Sequence, residues 1–195
     1  MNHRFDDAEK WAKVFDDPKR DAWQKPAEIT SRMQISAGMT VADVGAGTGY
    51  LLPYMARAVG PKGRVLALDI EDTLVTHMQA RAKKAGAEMA MVEVSKVAPD
   101  DPMLPAGAVD RVVILDVWHH ISDRGAYSAK LASGLKAGGQ IFVVDFTMDS
   151  PFGPPKHHRL APEVIVKELE AGGLKAHVMK DAQLPHQYIV VGSKP

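Results

Sequence analysis

Three glycines at alternate positions, Gly45, Gly47 and Gly49, follow a short apolar run at residues 41–44. Glycine adopts backbone angles that a side chain would forbid, so this spacing lets the chain turn sharply and lets a ligand approach the main chain closely. Apolar residues then recur at helical spacing from Leu51 onward. A strand, a glycine turn and a helix in this order predict a seat for a ligand against the main chain.

A carboxylate at the end of the next apolar run indicates which ligand this is. Asp69 lies 20 residues after Gly49, which is the spacing at which an acid at the tip of the second strand accepts hydrogen bonds from ribose hydroxyls. The glycine turn alone would equally fit a tight structural turn. Together with Asp69, it predicts a site for an adenosine moiety.

The details of the glycine turn exclude some nucleotides. A dinucleotide site has the pattern G-x-G-x-x-G, whereas here the third glycine falls one residue early and Tyr50 occupies the place of the required glycine. A phosphate-binding loop needs a lysine, and this loop has none. Asp43, just before the loop, would repel a pyrophosphate and attract a cation. These features disfavour a nicotinamide oxidoreductase and favour a positively charged ligand.

The elements that must position these residues alternate between strands and helices. This alternation predicts an α/β sandwich with a mostly parallel sheet. About eight residues separate the last two apolar runs, too few for a helical crossover, so these strands should form an antiparallel hairpin. The predicted strands cover residues 41–44, 64–70, 87–94, 109–121, 138–146, 174–179 and 187–191, and the helices after the glycine turn cover 73–85, 123–135 and 162–172.

The first part of the chain, residues 4–37, has the apolar periodicity of helices that are interrupted at Pro18. Trp11 and Trp23 lie in this helical arm. Large aromatic side chains mostly serve as packing anchors, here for helices that lie across a sheet. The alternative is that Trp23 and Gln24 form part of a lid over a substrate pocket, and both interpretations are open at this point.

The composition is that of an ordinary globular chain. It has 195 residues, 24 basic and 24 acidic side chains, and no cysteine. The length suffices for one domain with its own core, and the zero net charge gives no support for a general attraction to nucleic acid or membrane. The lack of cysteine excludes disulfides, thiolate metal sites and a cysteine nucleophile. Because no segment is typical of a signal peptide or a membrane span, we expect a cytoplasmic protein.

Taken together, these motifs resemble those of the class I S-adenosylmethionine-dependent methyltransferases. The similarity is carried by DVGAGTGYL, LALDI, VDRVVILDVWHHI and LKAGGQIFVVDF, which occur in the family's order and span roughly residues 38–192. The arm RFDDAEKWAKVFDDPKRDAWQKP is similar to that of a group of small bacterial methyltransferases. The resemblance implies one domain over residues 1–195, with a helical arm at 1–37 and a Rossmann-like three-layer core at 38–195. Its seven-stranded, mostly parallel sheet would have an antiparallel last strand.

The resemblance also implies which residues hold the cofactor, S-adenosyl-L-methionine. In such enzymes the acid matching Asp69 holds the ribose, the neighbour matching Ile70 packs on adenine, and the residue matching Asp116 touches the methionine portion or the substrate. The family often has an acid directly after the third strand for the adenine amino group; here Ser95 and a longer loop stand there, and Asp101 matches that acid only loosely. The loop around the amino acid end of the cofactor comprises Asp43, Gly45, Ala46, Gly47, Gly49 and Tyr50.

Two histidines after the fourth strand, His119 and His120, are the candidates for a catalytic base. In methyl transfer the leaving group departs neutral, so positioning should dominate, and a base is needed only for an OH or NH acceptor. Histidine titrates near neutrality, and we prefer His120 for this role. Alternatively, one or both histidines cap the next helix or bond to the backbone. Adjacent histidines on a strand point to opposite faces, so we expect no metal site.

On this resemblance we expect an enzyme that transfers a methyl group from S-adenosylmethionine to a small-molecule acceptor. The alternative is a catalytically inactive protein that binds S-adenosylmethionine in a regulatory or scaffold role. Nucleic acid and membrane partners are not expected. The acceptor would be set by the helical arm, the loop after Asp116 and the segment 147–159, which carry no diagnostic motif.

Overall fold

The computed structural model describes residues 7–195 of the chain. Within these residues, a central sheet of seven strands is flanked by seven α-helices. The strands are β1 (Thr40–Val44), β2 (Arg64–Asp69), β3 (Val92–Lys96), β4 (Val109–Leu115), β5 (Leu135–Phe146), β6 (Lys175–Val178) and β7 (Gln187–Ser193). The helices are α1 (Ala8–Phe15), α2 (Arg20–Gln24), α3 (Pro26–Arg32), α4 (Leu52–Val59), α5 (Asp72–Ala85), α6 (Arg124–Gly134) and α7 (Pro162–Ala171).

The sheet has the strand order β3-β2-β1-β4-β5-β7-β6. Strands β1 to β5 pair in parallel, and β7 runs antiparallel to both of its neighbours, β5 and β6. These pairings confirm the predicted α/β sandwich and the antiparallel pairing of the last two strands. Because the strand order reverses between β1 and β4, the carboxyl ends of these two strands border the place at which open α/β sheets bind ligands.

Apolar layers cover both faces of the sheet. Successive residues of β1 belong to opposite layers, since Val41 packs in the same cluster as Met55 of α4, and Ala42 packs in the same cluster as Leu131 of α6 and Leu169 of α7. A sheet covered on both faces explains why its central strands contain continuous apolar runs in the sequence. No helix within residues 7–195 has the length and apolar character needed to cross a bilayer.

The fourth strand is shorter than predicted. It ends at Leu115, not at residue 121, because Asp116 has a left-handed backbone (φ 60°) that ends the extended conformation. Trp118–His120 then form a short 3-10 turn. Trp118 is fully buried in this turn, so its apolar character made the segment resemble a continuing strand.

The third strand lies later in the chain than predicted, at Val92–Lys96 and not at residues 87–94. Gly86–Met89 form a 3-10 turn directly after α5, and burial of Met89 in that turn accounts for the error. The other predicted strands, and the helices after the glycine turn, agree with the structure to within three residues at each end.

The predicted helical arm consists of the three short helices α1 to α3. The first helix ends at Phe15, before Pro18, as the sequence indicates. Lys25 has a left-handed backbone (φ 50°) that separates α2 from α3, and Pro26 occupies the first turn of α3. Residues 4–6 of the predicted arm lie outside the described part of the chain.

The turn that carries the two histidines is tied to α7 through Glu168. Trp118 donates a hydrogen bond from Nε1 to Glu168 Oε2 (2.8 Å), and Arg124 donates from Nε to Glu168 Oε1 (2.7 Å). A buried N–H group without an acceptor costs free energy. This carboxylate therefore stabilises the turn against α7.

We expect the substitution Glu168→Ala to lower the free energy of unfolding by about 1–3 kcal/mol, because it leaves the buried N–H group of Trp118 without an acceptor. Urea unfolding followed by circular dichroism measures the change. Glu170→Ala is the matched control, since Glu170 is exposed on the same helix. Equal losses in the two variants would contradict the role given to Glu168.

Candidate active site

The carboxyl ends of β1, β2 and β4 lie side by side at one edge of the sheet. In the parallel register, Asp43 of β1 lies between Ala67 of β2 and Val113 of β4. The glycine loop follows β1, Asp69 ends β2, and Asp116 directly follows β4. The predicted cofactor-binding residues of these three strands therefore share one edge of the sheet.

The conformation of the loop after β1 requires its glycines. Gly45, Gly47 and Gly49 have φ angles of 77°, 60° and 82°, in the left-handed region. A Cβ atom on Gly45 would lie 2.5 Å from Cγ2 of Val117, and one on Gly49 would lie 2.6 Å from Cδ1 of Leu52. The backbone conformation therefore favours glycine at all three positions, and Val117 also leaves no room for a Cβ atom on Gly45.

Asp69 is buried beside this loop. Its Oδ2 accepts a hydrogen bond from the main-chain N–H of Gly47 (2.8 Å), and its Oδ1 accepts one from the main-chain N–H of Glu71 (3.0 Å). Burial raises the pKa of this carboxyl, and the main-chain donors oppose that rise. The next residue, Ile70, has a side chain that is 45% exposed. The end of β2 thus offers carboxylate oxygens next to an apolar surface.

Asp43 and Asp116 are carboxyls on either side of the point where the strand order reverses. Burial raises the pKa of Asp43 to about 7; the charge of Asp69 adds to the rise and Arg20 opposes it. Burial also raises the pKa of Asp116 to about 7, where Arg20 opposes the rise and Asp145 adds to it. A positive charge bound next to them would lower both pKa values and favour the ionised carboxylates.

Arg20 of α2, in the helical arm, reaches the carboxyl that follows β4. Its Nη2 lies 3.3 Å from Asp116 Oδ2, and its side chain is only 12% exposed. The guanidinium also donates to the main-chain oxygen of Phe15 (2.9 Å) and to Gln24 Oε1 (3.0 and 3.1 Å). It lies 4.2 Å from the ring centre of Tyr50. The arm therefore supplies a positive charge to the carboxyl at the end of β4.

Polar contacts dock the arm on the glycine loop. Asp16 Oδ1 accepts hydrogen bonds from Thr48 Oγ1 (2.9 Å) and from Arg81 Nη1 (3.1 Å). Tyr50 donates from its hydroxyl to Asp21 Oδ1 (2.6 Å). Through these contacts α1 and α2 lie over the loop that follows β1.

A chain of amide side chains joins the arm to β7 and β4. Gln24 is completely buried and donates from Nε2 to Gln187 Oε1. Gln187, the first residue of β7, donates from Nε2 to Asp116 Oδ1. Asp116 is thus held by Arg20 and by Gln187, and each of these residues contacts Gln24.

The two histidines lie in different surroundings. His119 Nδ1 lies 3.0 Å from Asp145 Oδ2 and 3.1 Å from its Oδ1, and Asp145 is completely buried. Asp145 also accepts the main-chain N–H of Phe146 (2.8 Å). In the tautomer of His119 that donates from Nδ1 to this carboxylate, Nε2 is the basic nitrogen. His120 is exposed, and its ring centre lies 4.2 Å from that of His119.

The longer predicted strand implied that the two histidines point to opposite faces of the sheet, and the structure contradicts this. They lie on a turn, which brings their rings side by side. Across residues 7–195, no group of three or more His, Cys, Asp or Glu side chains is placed to hold a metal ion.

Aromatic side chains pack together from α2, from the end of β5 and the loop after it, and from the segment before β7. Trp23 of α2 stacks on Phe152 with ring centres 4.6 Å apart and lies 5.9 Å from Phe146. Phe152 also contacts the ring of His186, at 5.1 Å. We call these four residues the aromatic cluster. It joins the arm, the loop after β5 and the segment before β7.

Two residues of this site, Arg20 and Asp145, were not among the predicted ones. Asp145 could have been found from the sequence, because it is a carboxylate inside the apolar run that forms β5. Nothing in the sequence distinguishes Arg20 from the other basic residues of the helical arm. Asp101 lies in a different setting. Its Oδ1 accepts the main-chain N–H of Met103 (2.8 Å), and its Oδ2 lies 3.6 Å from Lys130 Nζ of α6, so a contact with adenine stays a prediction.

Comparison with known proteins points to one family. A family model described as a methyltransferase domain matches residues 41–139, just over half of the chain. Nocamycin O-methyltransferase of Saccharothrix syringae is 30% identical over 148 residues, which cover 76% of this chain and 47% of that protein. The ubiquinone/menaquinone biosynthesis C-methyltransferase UbiE of Saccharophagus degradans is 26% identical over 113 residues, which cover 58% and 45%. The chain spans about half the length of the curated relatives it matches.

Solved structures agree with this result. The crystal structure of a SAM dependent methyltransferase from Aquifex aeolicus matches with a TM-score of 0.87 and 27% identity, over 97% of this chain and 99% of that chain. The YcgJ protein of Bacillus subtilis shares the fold, with a TM-score of 0.69 and 15% identity, over 88% of this chain and 98% of that chain. The glycine loop, Asp69 and Asp116 all lie within the matched family segment. The chain belongs to the class I S-adenosylmethionine-dependent methyltransferases.

Proposed function

We propose that this protein transfers a methyl group from S-adenosylmethionine to a small-molecule acceptor that carries an ionisable hydroxyl group. The observation that carries the proposal is the pairing of His119 with the buried Asp145, next to Asp116. A histidine held in this way is suited to remove a proton from an acceptor, which an inactive cofactor-binding protein would not need. The names of two similar proteins, an O-methyltransferase of nocamycin and a C-methyltransferase of quinone biosynthesis, are consistent with a small-molecule acceptor.

The residues at the carboxyl ends of the strands fit S-adenosylmethionine. Asp43 and Asp116, whose pKa values are raised to about 7, suit its ammonium and sulfonium charges. Asp69 offers carboxylate oxygens to the ribose hydroxyls, and Ile70 offers an apolar surface to adenine. When bound, the cofactor supplies a methyl group on a sulfonium centre, which becomes a neutral thioether. We assign the amino acid end to Gly45, Ala46, Gly47, Gly49 and Tyr50.

The proposed base is His119. Its Nε2 takes the proton of the acceptor hydroxyl, and Asp145 stabilises the imidazolium that forms. His120, which the sequence analysis preferred, is exposed, and its position supports this role less well. Because little charge develops in methyl transfer, the larger contribution comes from holding the reactants at attack distance, which is worth roughly 7–11 kcal/mol.

The aromatic cluster supports a planar acceptor. Trp23 and Phe152 form a stacked pair at 4.6 Å, and such faces favour flat apolar molecules. Trp23 of the cluster belongs to α2, the helix that brings Arg20 to Asp116. A phenol or an enol would combine the flat shape with the ionisable hydroxyl that His119 is placed to deprotonate.

A titration and a product assay test the proposal. Calorimetry with S-adenosylhomocysteine measures cofactor-site binding, and mass spectrometry of reactions with a panel of phenols and enols detects a gain of one methyl group. Lack of binding would contradict the cofactor assignment. Binding without any product across the panel would instead favour the regulatory or scaffold alternative.

We expect S-adenosylmethionine to bind more tightly as the pH rises through about 7. Asp43 and Asp116 have pKa values of about 7 in the protein alone, and a bound cation favours their ionised forms. Binding should therefore release protons, and affinity should fall as the pH drops below 7. Calorimetry at about pH 6 and about pH 8, in two buffers of different ionisation enthalpy, measures the affinity and the proton release.

Asp43→Asn is the control for this pH dependence, because it keeps the shape of the side chain and removes its titration. The pKa of Asp43 is raised above its ordinary value of 3.8, so stability that is present at low pH is lost as the pH rises through about 7. The variant should therefore melt at a higher temperature than the wild type above pH 7 and release fewer protons on binding. An affinity of the wild type for S-adenosylmethionine that is the same at both pH values would contradict the role given to Asp43 and Asp116.

We expect His119→Gln to lower turnover by about 100-fold or more, because the acceptor proton loses its base. Cofactor affinity should stay unchanged, and Asp145→Asn should lower turnover in the same direction. Initial rates with an acceptor from the panel, together with calorimetry, measure both quantities. His120→Gln is the decisive comparison, since a larger loss there would transfer the role of base to His120.

A further inference from the structure

We infer that the helical arm completes the cofactor site and that Arg20 binds the carboxylate of the cofactor's amino acid end. This inference rests on the proposed function, because it concerns S-adenosylmethionine. The observation behind it is an arginine of α2 whose Nη2 reaches to within 3.3 Å of Asp116, the carboxylate that follows β4. The arm is then a binding element as well as a packing element.

The charges of the site require such a residue. The amino acid end of the cofactor carries a carboxylate as well as an ammonium group. Asp43, Asp69 and Asp116 at the strand ends attract the ammonium group but repel the carboxylate. A cation must therefore face the same place. Arg20 does so, since its charge opposes the rise in the pKa of both Asp43 and Asp116.

A second arginine at the glycine loop has a different task. Arg81 donates from Nη1 to Asp16 Oδ1 (3.1 Å) and to the main-chain oxygen of Thr48 (3.0 Å). These bonds fasten the arm to the loop. Arg81 therefore provides a matched control for Arg20, because it affects how the arm docks without facing Asp116.

The arm itself orients the guanidinium of Arg20. Nε and Nη2 donate to Gln24, and Nη1 donates to the main-chain oxygen of Phe15, over distances of 2.9–3.1 Å. The contact with Asp116 is longer, at 3.3 Å. A guanidinium has five N–H groups in a planar fork that matches a carboxylate. Arg20 can therefore exchange Asp116 for a ligand carboxylate while the arm still holds it.

This exchange keeps both Arg20 and Asp116 paired. Asp116 turns from Arg20 to the ammonium group, and Arg20 turns to the ligand carboxylate, so one ion pair becomes two. Within the arm, α1 has no buried residue and docks through polar contacts of Asp16, whereas Gln24 of α2 and Ile29 of α3 are completely buried, so α1 is the part that can move to admit the ligand. A ligand that lacks the carboxylate can pair its ammonium group with Asp116 but offers no partner to Arg20.

Two ligands that differ only in that carboxylate test the inference. S-adenosylmethionine and decarboxylated S-adenosylmethionine are titrated by calorimetry into the wild type and into Arg20→Gln. We expect the substitution to weaken binding of the first ligand by roughly 10- to 100-fold, as for a lost charge-assisted hydrogen bond. Binding of the decarboxylated ligand should change by less than about 3-fold.

Two further variants and one further ligand separate recognition from arm docking. Arg20→Lys keeps the charge and should retain part of the preference for the carboxylate. Arg81→Gln loosens the docking of the arm and should weaken both ligands by the same factor. Binding of 5′-methylthioadenosine, which lacks the amino acid end, reports an intact adenosine half in each folded variant.

Two outcomes would overturn the inference. Equal losses for both ligands in Arg20→Gln would mean that the arginine only helps the arm to pack. Tighter binding of S-adenosylmethionine to that variant would mean that Arg20 only occupies the site in place of a cation. A wild-type protein that binds neither ligand nor 5′-methylthioadenosine would instead contradict the proposed function, and the two failures are therefore distinguishable.

Discussion

Buried carboxyls at the carboxyl ends of parallel strands are the constraint on which this structure depends. Asp43 and Asp145 are buried within apolar stretches of β1 and β5, and the partly buried Asp116 directly follows the apolar end of β4. An ionised carboxylate in such surroundings costs several kcal/mol unless a counter-charge or a proton compensates it. His119 lies within hydrogen-bond distance of Asp145, and the positive charge of Arg20 faces Asp116. The helical arm and the turn after β4 are therefore held where they are partly because these acids need partners.

The parts of the site that follow from short spacing could be predicted from the sequence. The glycine turn is recognised from glycines at alternate positions. Asp69 follows at a distance determined by one helix, the turns beside it and strand β2. The sheet was predictable as well, because strands buried on both faces are continuous apolar runs. Asp116 could be placed because it ends such a run. Each of these inferences needs only local pattern and the general geometry of α/β sheets.

The remaining parts depend on contacts between distant residues. Arg20 and Asp116 are 96 positions apart, and His119 and Asp145 are 26 positions apart, so no local pattern links them. The sequence alone therefore made both histidines candidates for the base, with His120 preferred, and could not indicate the contact of His119 with Asp145. Only the left-handed residue at the end of β4 and the turn that follows it leave the side chain of His119 5% exposed and His120 exposed.

The reversed direction of β7 has a consequence for how this site can vary. Because β7 runs antiparallel to β5, it begins at the edge where the parallel strands end, and its first residue, Gln187, contacts Asp116. The segment before it, residues 179–186, therefore lies at this edge and contributes His186 to the aromatic cluster, whereas the turn at residues 60–63 precedes a parallel strand and lies at the opposite edge. Under the proposed function, longer or shorter versions of 179–186 would change the acceptor side of the site and leave the residues of the glycine loop unchanged. Engineering of acceptor choice would begin there.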